Sequence, residues 1–236
     1  EFHQYELKHL SLIQTIPPNL SNEQVDEFKS HFEDWIVRNA LRELVETFDL
    51  FLEKLHHNCL LVGTSKGCIE PNRATRWGKR LPNVGVDEKL EVLRERFGVI
   101  TAKEDYFRAI KQARHCVTHR RSIVGAKDAD DNGELHLKWW RFRIFIKLNS
   151  GKEIEMDPPI SEGSIQLEEA GKVCIQFVDN ERTFKVGDPI IFKPQDILEI
   201  GELTKLATSE LLKSFVTFAQ DKGVELREIP QPNHAE

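Results

Sequence analysis

Eight consecutive residues, Arg114-His115-Cys116-Val117-Thr118-His119-Arg120-Arg121, hold most of this chain's capacity for chemistry. Arginine presents a planar fork of donors that matches a phosphate, and an imidazole titrates close to neutrality. Together they can clamp an anion and move a proton without a metal. Arg114 follows Ile110 by four residues and precedes Val117 by three, so on a helix it sits on the apolar stripe. A guanidinium placed there needs a partner, because an unpaired buried charge is costly. His115 and His119 are four apart and share a face with Lys111 and Gln112. Arg114 and His119 are five apart, roughly 140° around an ideal helix, and do not point the same way along one straight helix. Two devices would reconcile them: an early helix end at Thr118, or a second copy of the helix across a dimer axis.

Plainer roles compete for the same residues. Arg114 can make a structural ion pair with an acid on an earlier helix, such as Glu43 or Glu46. His119 can complement the dipole of a helix C-terminus. His115 can brace its neighbours, and Arg120 with Arg121 can be a solvated charge pair. A second basic cluster, Arg73, Arg76, Lys79 and Arg80 around Trp77, could pair phosphates and stack a base, or be a charged loop with its tryptophan anchored in the core. Cys59, Cys68, His115, Cys116 and His119 match no common zinc spacing, and Cys116 reads as a core thiol. No glycine-rich phosphate loop, serine elbow or HExxH pattern is present. Neither a metal nor another cofactor is expected.

The elements that must position these residues are readable from periodicity. Ser21-Asn22-Glu23-Gln24 is a capping-box pattern. Apolar residues then advance by three and four from Val25 to Leu55, predicting one long helix over about 23–60. A helix well beyond ~25 residues needs a partner along its apolar face, in the same chain or in a second subunit. Residues 62–86, with four glycines and two prolines, predict a long loop. Residues 87–97 predict a short helix stopped at Gly98. Thr101-Ala102-Lys103-Glu104 is a second capping box, opening a helix through about His119.

Composition changes over the acidic stretch 125–134, which reads as a solvated boundary. Beyond it, Trp140, Phe142, Ile144, Ile146 and Leu148 alternate with Arg141, Arg143, Phe145 and Lys147, a strand pattern with one inward face. Further strands are expected near 152–156, 164–168, 172–178, 182–186, 189–192 and 224–229. A final helix is expected from Pro194 to Asp221, stopped by Gly223. The expected organisation is a lead-in (1–20), a helical domain (21–124), a strand-rich part with a C-terminal helix (135–229) and a tail (230–236). The fold class is α+β.

Of 236 residues, 39% are hydrophobic and 31% charged, as in a globular protein. The net charge of -6 excludes a general polyanion binder, so any nucleic-acid contact must come from a local basic patch. Four scattered cysteines fit reduced thiols and a cytoplasmic location. No apolar run suggests a membrane span, and no membrane partner is expected.

A long helix followed by Arg, a polar residue, three variable residues and His resembles the HEPN superfamily. The likeness covers roughly residues 21–124. Arg114 matches the family arginine, His115 its polar neighbour and His119 its histidine. The resemblance implies an N-terminal helical bundle built on a long helix hairpin, here followed by a small antiparallel sheet and a C-terminal helix. It further implies a metal-independent endoribonuclease, as in toxins of toxin–antitoxin systems and defence effectors, with RNA as substrate. Two copies of the motif would face each other in a homodimer cleft. An antitoxin or other inhibitor protein is a further implied partner. The alternative is a non-catalytic dimeric module that binds RNA or a protein. Some relatives follow the histidine with X-Tyr as a modification site; Arg120 and Arg121 stand here instead. The implied roles are His119 as base, Arg114 as phosphate clamp and His115 as auxiliary group. RNA contacts are expected from Arg73, Arg76, Trp77, Lys79, Arg80, Lys111, Arg120 and Arg121.

Overall fold

A computed structural model describes residues 20–156 and 166–225. Nearly all of the lead-in, the first two residues of the expected strand at 164–168, most of that at 224–229 and the tail lie outside these residues, and residues 166–168 form no strand. The elements in chain order are α1 (Asn22–Ser65), α2 (Pro71–Arg80), a 3₁₀ turn (Leu81–Asn83), α3 (Val86–Phe97), α4 (Glu104–His119), β1 (Glu134–Leu148), β2 (Glu153–Glu155), β3 (Gly171–Lys185) and α5 (Pro194–Asp221). This is an α+β arrangement with a long first helix, a three-stranded antiparallel sheet and a final helix. No helix among the described residues is long and apolar enough to cross a membrane.

Two compact units divide inside α1, at Glu1–Ile36 and Val37–Glu236. In the first, the capping box closes reciprocally. Gln24 N–H donates to Ser21 Oγ at 3.2 Å, and Ser21 N–H donates to Gln24 Oε1 at 3.0 Å. Phe32 stacks on Trp35 with centroids 5.8 Å apart. In the second unit, α1 gains its partners within the chain. Leu41 joins Ala113 and Cys116 of α4, Trp139 of β1, and Ile200 and Leu203 of α5 in one apolar cluster. Phe48 and Leu52 join Leu90 and Leu93 of α3, Phe107 of α4 and Leu211 of α5 in another. Phe48 lies on Phe107 at 4.1 Å. The first cluster draws on both sides of the acidic stretch 125–134, which the second unit spans.

Where helices start and stop follows local chemistry, with two departures. Gly98 (φ 67°) ends α3 in the left-handed region, with Val99 N–H on Leu93 O and Gly98 N–H on Arg94 O. Gly223 (φ 73°) follows α5 likewise. The expected capping box at Thr101–Glu104 does not form. Thr101 Oγ1 donates to Glu210 of α5 at 2.6 Å, and Ala102 N–H donates to the same carboxylate at 3.0 Å. Glu104 pairs with Arg94 instead. Much of the expected loop at 62–86 is helical: Pro71 supplies the first turn of α2, and Trp77 packs on Phe97, edge to face at 6.4 Å.

The sheet has the order β2-β1-β3, and β1 pairs with β3 along its whole length, from Glu134↔Lys185 to Leu148↔Gly171. β3 runs unbroken through Asp179–Arg182, where two strands were expected. Asp179 is held there by Tyr106 Oη (2.7 Å) and Lys138 Nζ (2.9 Å). Near 189–192 only an isolated bridge, Ile123↔Pro189, is present. The single inward face expected for β1 is two faces in succession. Leu135, Leu137 and Trp139 are buried against the helices, and Trp139 Nε1 donates to Glu199 at 3.0 Å. From Trp140 onward apolar residues also occupy the positions 140, 142, 144, 146 and 148, on the opposite side, while Phe145 is buried on the first side.

Candidate functional site

Arg114 leaves α4 toward α1. Its Nη2 donates to Glu46 Oε1 at 2.6 Å, so one of the two acids anticipated as structural partners is indeed its partner. The guanidinium is half-buried, and its Nε has no hydrogen-bond partner although solvent does not reach it. A buried donor without an acceptor is costly in free energy. Arg114 lines a groove of about 350 Å³ between α1, the turn Val84-Gly85-Val86 and α4. His115, Lys111, Arg120 and Lys127 also line it, together with Glu46, Asp49 and Asp128. Several of these cations are already matched. Lys111 pairs with Asp87, Arg120 with Asp128 at 2.6 Å and Arg114 with Glu46.

His115 and His119 are both exposed, and their rings lie 4.9 Å apart with a 49° tilt, as expected one turn apart on a helix. His119 does not line the groove, whereas His115 does. α4 runs to His119 instead of ending at Thr118, so the angular offset between Arg114 and His119 persists within one chain. His115 is the link: its ring meets His119 on one side and borders the groove of Arg114 on the other.

The chain turns sharply after the motif. Arg121 (φ 53°) and Ser122 (φ 66°) both adopt left-handed backbone, unusual for residues with a Cβ. Ser122 N–H donates to Cys116 O at 3.1 Å, and Ile190 N–H donates to Ser122 O at 2.7 Å, fixing the reversal. Arg120 folds back onto Asp128, whose Oδ2 also accepts Gly125 N–H at 2.9 Å. A Cβ at Gly125 would stand 1.8 Å from Arg120 Nη1, so a side chain here pushes the guanidinium away from its place beside Asp128. Asp128 is buried, although the acidic stretch around it reads as solvated. Nothing in its local sequence distinguishes it; its partner lies eight residues earlier.

Burial pushes the Cys116 thiol up to about 12, with the Asp128 carboxylate adding to the effect. Burial does the same to Cys59, also to about 12. Both are core thiols, protonated at neutral pH. Among the described residues no three His, Cys, Asp or Glu side chains group as a metal site. Lys89, fully buried, is anchored by Asp49 (2.7 Å) and Glu53 (2.6 Å), which fixes Asp49 at the groove.

The second basic cluster sits on α2. Arg73 and Arg96 cover Trp77, with guanidinium carbons 4.5 and 4.3 Å from the ring. The tryptophan's capacity for stacking is thus occupied by arginines in this state. Arg96, from α3, was not distinguished by the sequence; burial and the neighbouring charges of Arg80 and Arg73 hold its guanidinium below the usual arginine range. Arg76, Lys79 and Arg80 are exposed, as is Arg121. None of the α2 residues lines the Arg114 groove. No family model, curated protein or solved structure matches this chain.

Proposed function

We propose that this chain is a metal-independent endoribonuclease of HEPN-like type, a toxin or defence effector acting on RNA as a homodimer. The observation that carries this reading is the exposed His115–His119 pair, 4.9 Å between rings, of which His115 lines a groove together with Arg114. His119 takes the proton from a 2′-hydroxyl, and the resulting oxygen attacks the adjacent phosphorus in line. The phosphorus–5′-oxygen bond breaks, leaving a 2′,3′-cyclic phosphate and a 5′-hydroxyl after the leaving oxygen is protonated. Arg114 stabilises the charge on the phosphoryl oxygens, and His115 positions the phosphate or supplies the leaving proton. A second copy brings a second Arg114–His119 set to the scissile group, which compensates for their offset in one chain. DNA lacks the nucleophile and resists cleavage.

The decisive assay is digestion of single-stranded RNA in EDTA. His119→Ala lowers the rate by at least about a hundredfold, within the usual range for an acid–base group. Arg114→Lys also loses activity, because a point charge does not replace the bidentate fork. Metal-dependent cleavage, or a His119→Ala protein as active as wild type, overturns the proposal.

A second reading has its own support. Glu46 already neutralises Arg114, which fits a non-catalytic HEPN-like module that binds RNA or a protein. It requires that His119→Ala leave RNA binding unchanged and that no cleavage occur.

A further inference from the structure

The strand order leaves β3 at one edge of the sheet, and among the described residues no strand pairs with its outer side. The strand is 15 residues long and contains no proline. Edges of this kind are usually short, charged or covered, because their free N–H and C=O groups template further pairing. Between Gly171 and Val178 the only charge is Lys172. Val173, Ile175 and Phe177 alternate along one face and are 67%, 65% and 45% exposed. Their partners on β1 are Ile146, Ile144 and Phe142, so the apolar face continues across the ribbon. The Phe177 ring meets Phe142 at 5.0 Å and Trp140 at 5.2 Å. On β1 Ile146 is buried and Ile144 and Phe142 are half-buried, so the open backbone edge adjoins the exposed part of the apolar face, Val173, Ile175 and Phe177.

We propose that this edge pairs with itself: β3 lies antiparallel to β3 of a second copy about a twofold axis at Ile175, joining two three-stranded sheets into one of six. Symmetry in the sequence points to a second copy, not an unrelated strand. Apolar Val173 and Phe177 flank Ile175 at equal distance, and non-apolar Gly171 and Asp179 bound the set. Rotation about Ile175 sets Val173 opposite the partner's Phe177, and Ile175 opposite its own copy. On the other face Cys174 meets Gln176, and Lys172 meets Val178. No like charges face each other between Gly171 and Asp179, and the contact is isologous, as a closed dimer requires. No residue of the Arg114 groove belongs to β1 or β3, so this interface stands whether or not the ribonuclease reading does.

The test is cross-linking of the full chain. Ile175→Cys is made in a Cys68→Ser, Cys174→Ser background, with Thr183→Cys, on the same strand but outside the register, as control. Under mild oxidation Ile175→Cys gives a covalent dimer of twice 27.3 kDa. It forms about tenfold faster or more than with Thr183→Cys, because thiols directly opposite across the pair have a high effective concentration. In light scattering, Ile175→Lys lowers the mass of the wild-type assembly by the association made through this edge, with its circular dichroism unchanged. Equal cross-linking rates for the two cysteines overturn the proposal. An assembly mass that Ile175→Lys leaves unchanged overturns it too, as does apolar coverage by some other segment or protein that leaves purified chains uncross-linked.

Discussion

His115 and His119 sit one turn apart but in different company. His115 borders a groove with Arg114, while His119 faces outward. On the proposed mechanism, substituting them has unequal effects: His119→Ala removes the general base, whereas His115→Ala leaves measurable cleavage and shifts its pH profile. A cleavage–pH series on the two variants checks this ordering. A third histidine has a different consequence. His56 is 1% exposed, packs against Phe97 edge to face at 5.4 Å, and its Nε2 has no hydrogen-bond partner. Burial, then the positive charges of Arg96 and His57, hold its imidazole down to about 4, against 6.5 for the free group. The unfolded chain thus takes up this proton at higher pH than the folded one. The group's contribution to stability is fully present above pH 6.5 and is lost as pH falls toward 4, by up to about 3 kcal/mol. Urea unfolding between these pH values shows the decline, and His56→Leu removes that part of the slope. Because Nε2 is already unpaired, the leucine costs little at neutral pH.

At the scale of elements, the segment after α4 fixes the motif's surroundings. Arg120, Asp128 and the Gly125 N–H form a closed set at the groove wall. Gly125→Ala displaces Arg120, leaving the Asp128 carboxylate buried without its cation, and destabilises the chain by about 2–3 kcal/mol in urea unfolding. Gly223→Ala, whose site also has positive φ but open space around it, costs only about 1 kcal/mol. The start of α1, the end of α3 and both ends of α5 were legible because a capping serine, Gly98, Pro194 and Gly223 act locally, whereas α1 runs to Ser65, beyond the expected end near 60. α2 was not, because glycines and prolines argued for loop, while contact with Phe97 and the Arg73–Trp77–Arg96 stack lies outside any local window. The same holds for β3. The polar run Asp179–Arg182 resembles a turn until Lys138, Tyr106 and Asp196 supply its distant partners. The change of face at Trp139–Trp140 is visible in the sequence only as a shift in phase, and it takes the helices on one side to give it meaning.

At the scale of the molecule, the compact unit Val37–Glu236 brings α1, α4, β1 and α5 onto shared core residues, which places the motif helix between the long helix and the sheet. Arg114 and Glu46 meet as a spacing argument could foresee, since Arg114 falls on the apolar stripe and the long helix offers acids. Asp128, Asp49 and Lys127, which also line the groove, are marked by no motif, and the cations that hold Asp128 and Asp49, Arg120 and Lys89, lie elsewhere in the chain. Within one chain, Arg114 and His119 do not converge, so the proposed chemistry belongs to an assembly of two. The central claim is attack by a 2′-hydroxyl without metal, and phosphorus-31 NMR of RNA digested in EDTA by the purified chain reads its product directly. A 2′,3′-cyclic phosphate signal is expected with wild type and is absent with His119→Ala. Ends carrying 5′-phosphates, a requirement for added magnesium, or the same signal from His119→Ala would contradict the claim.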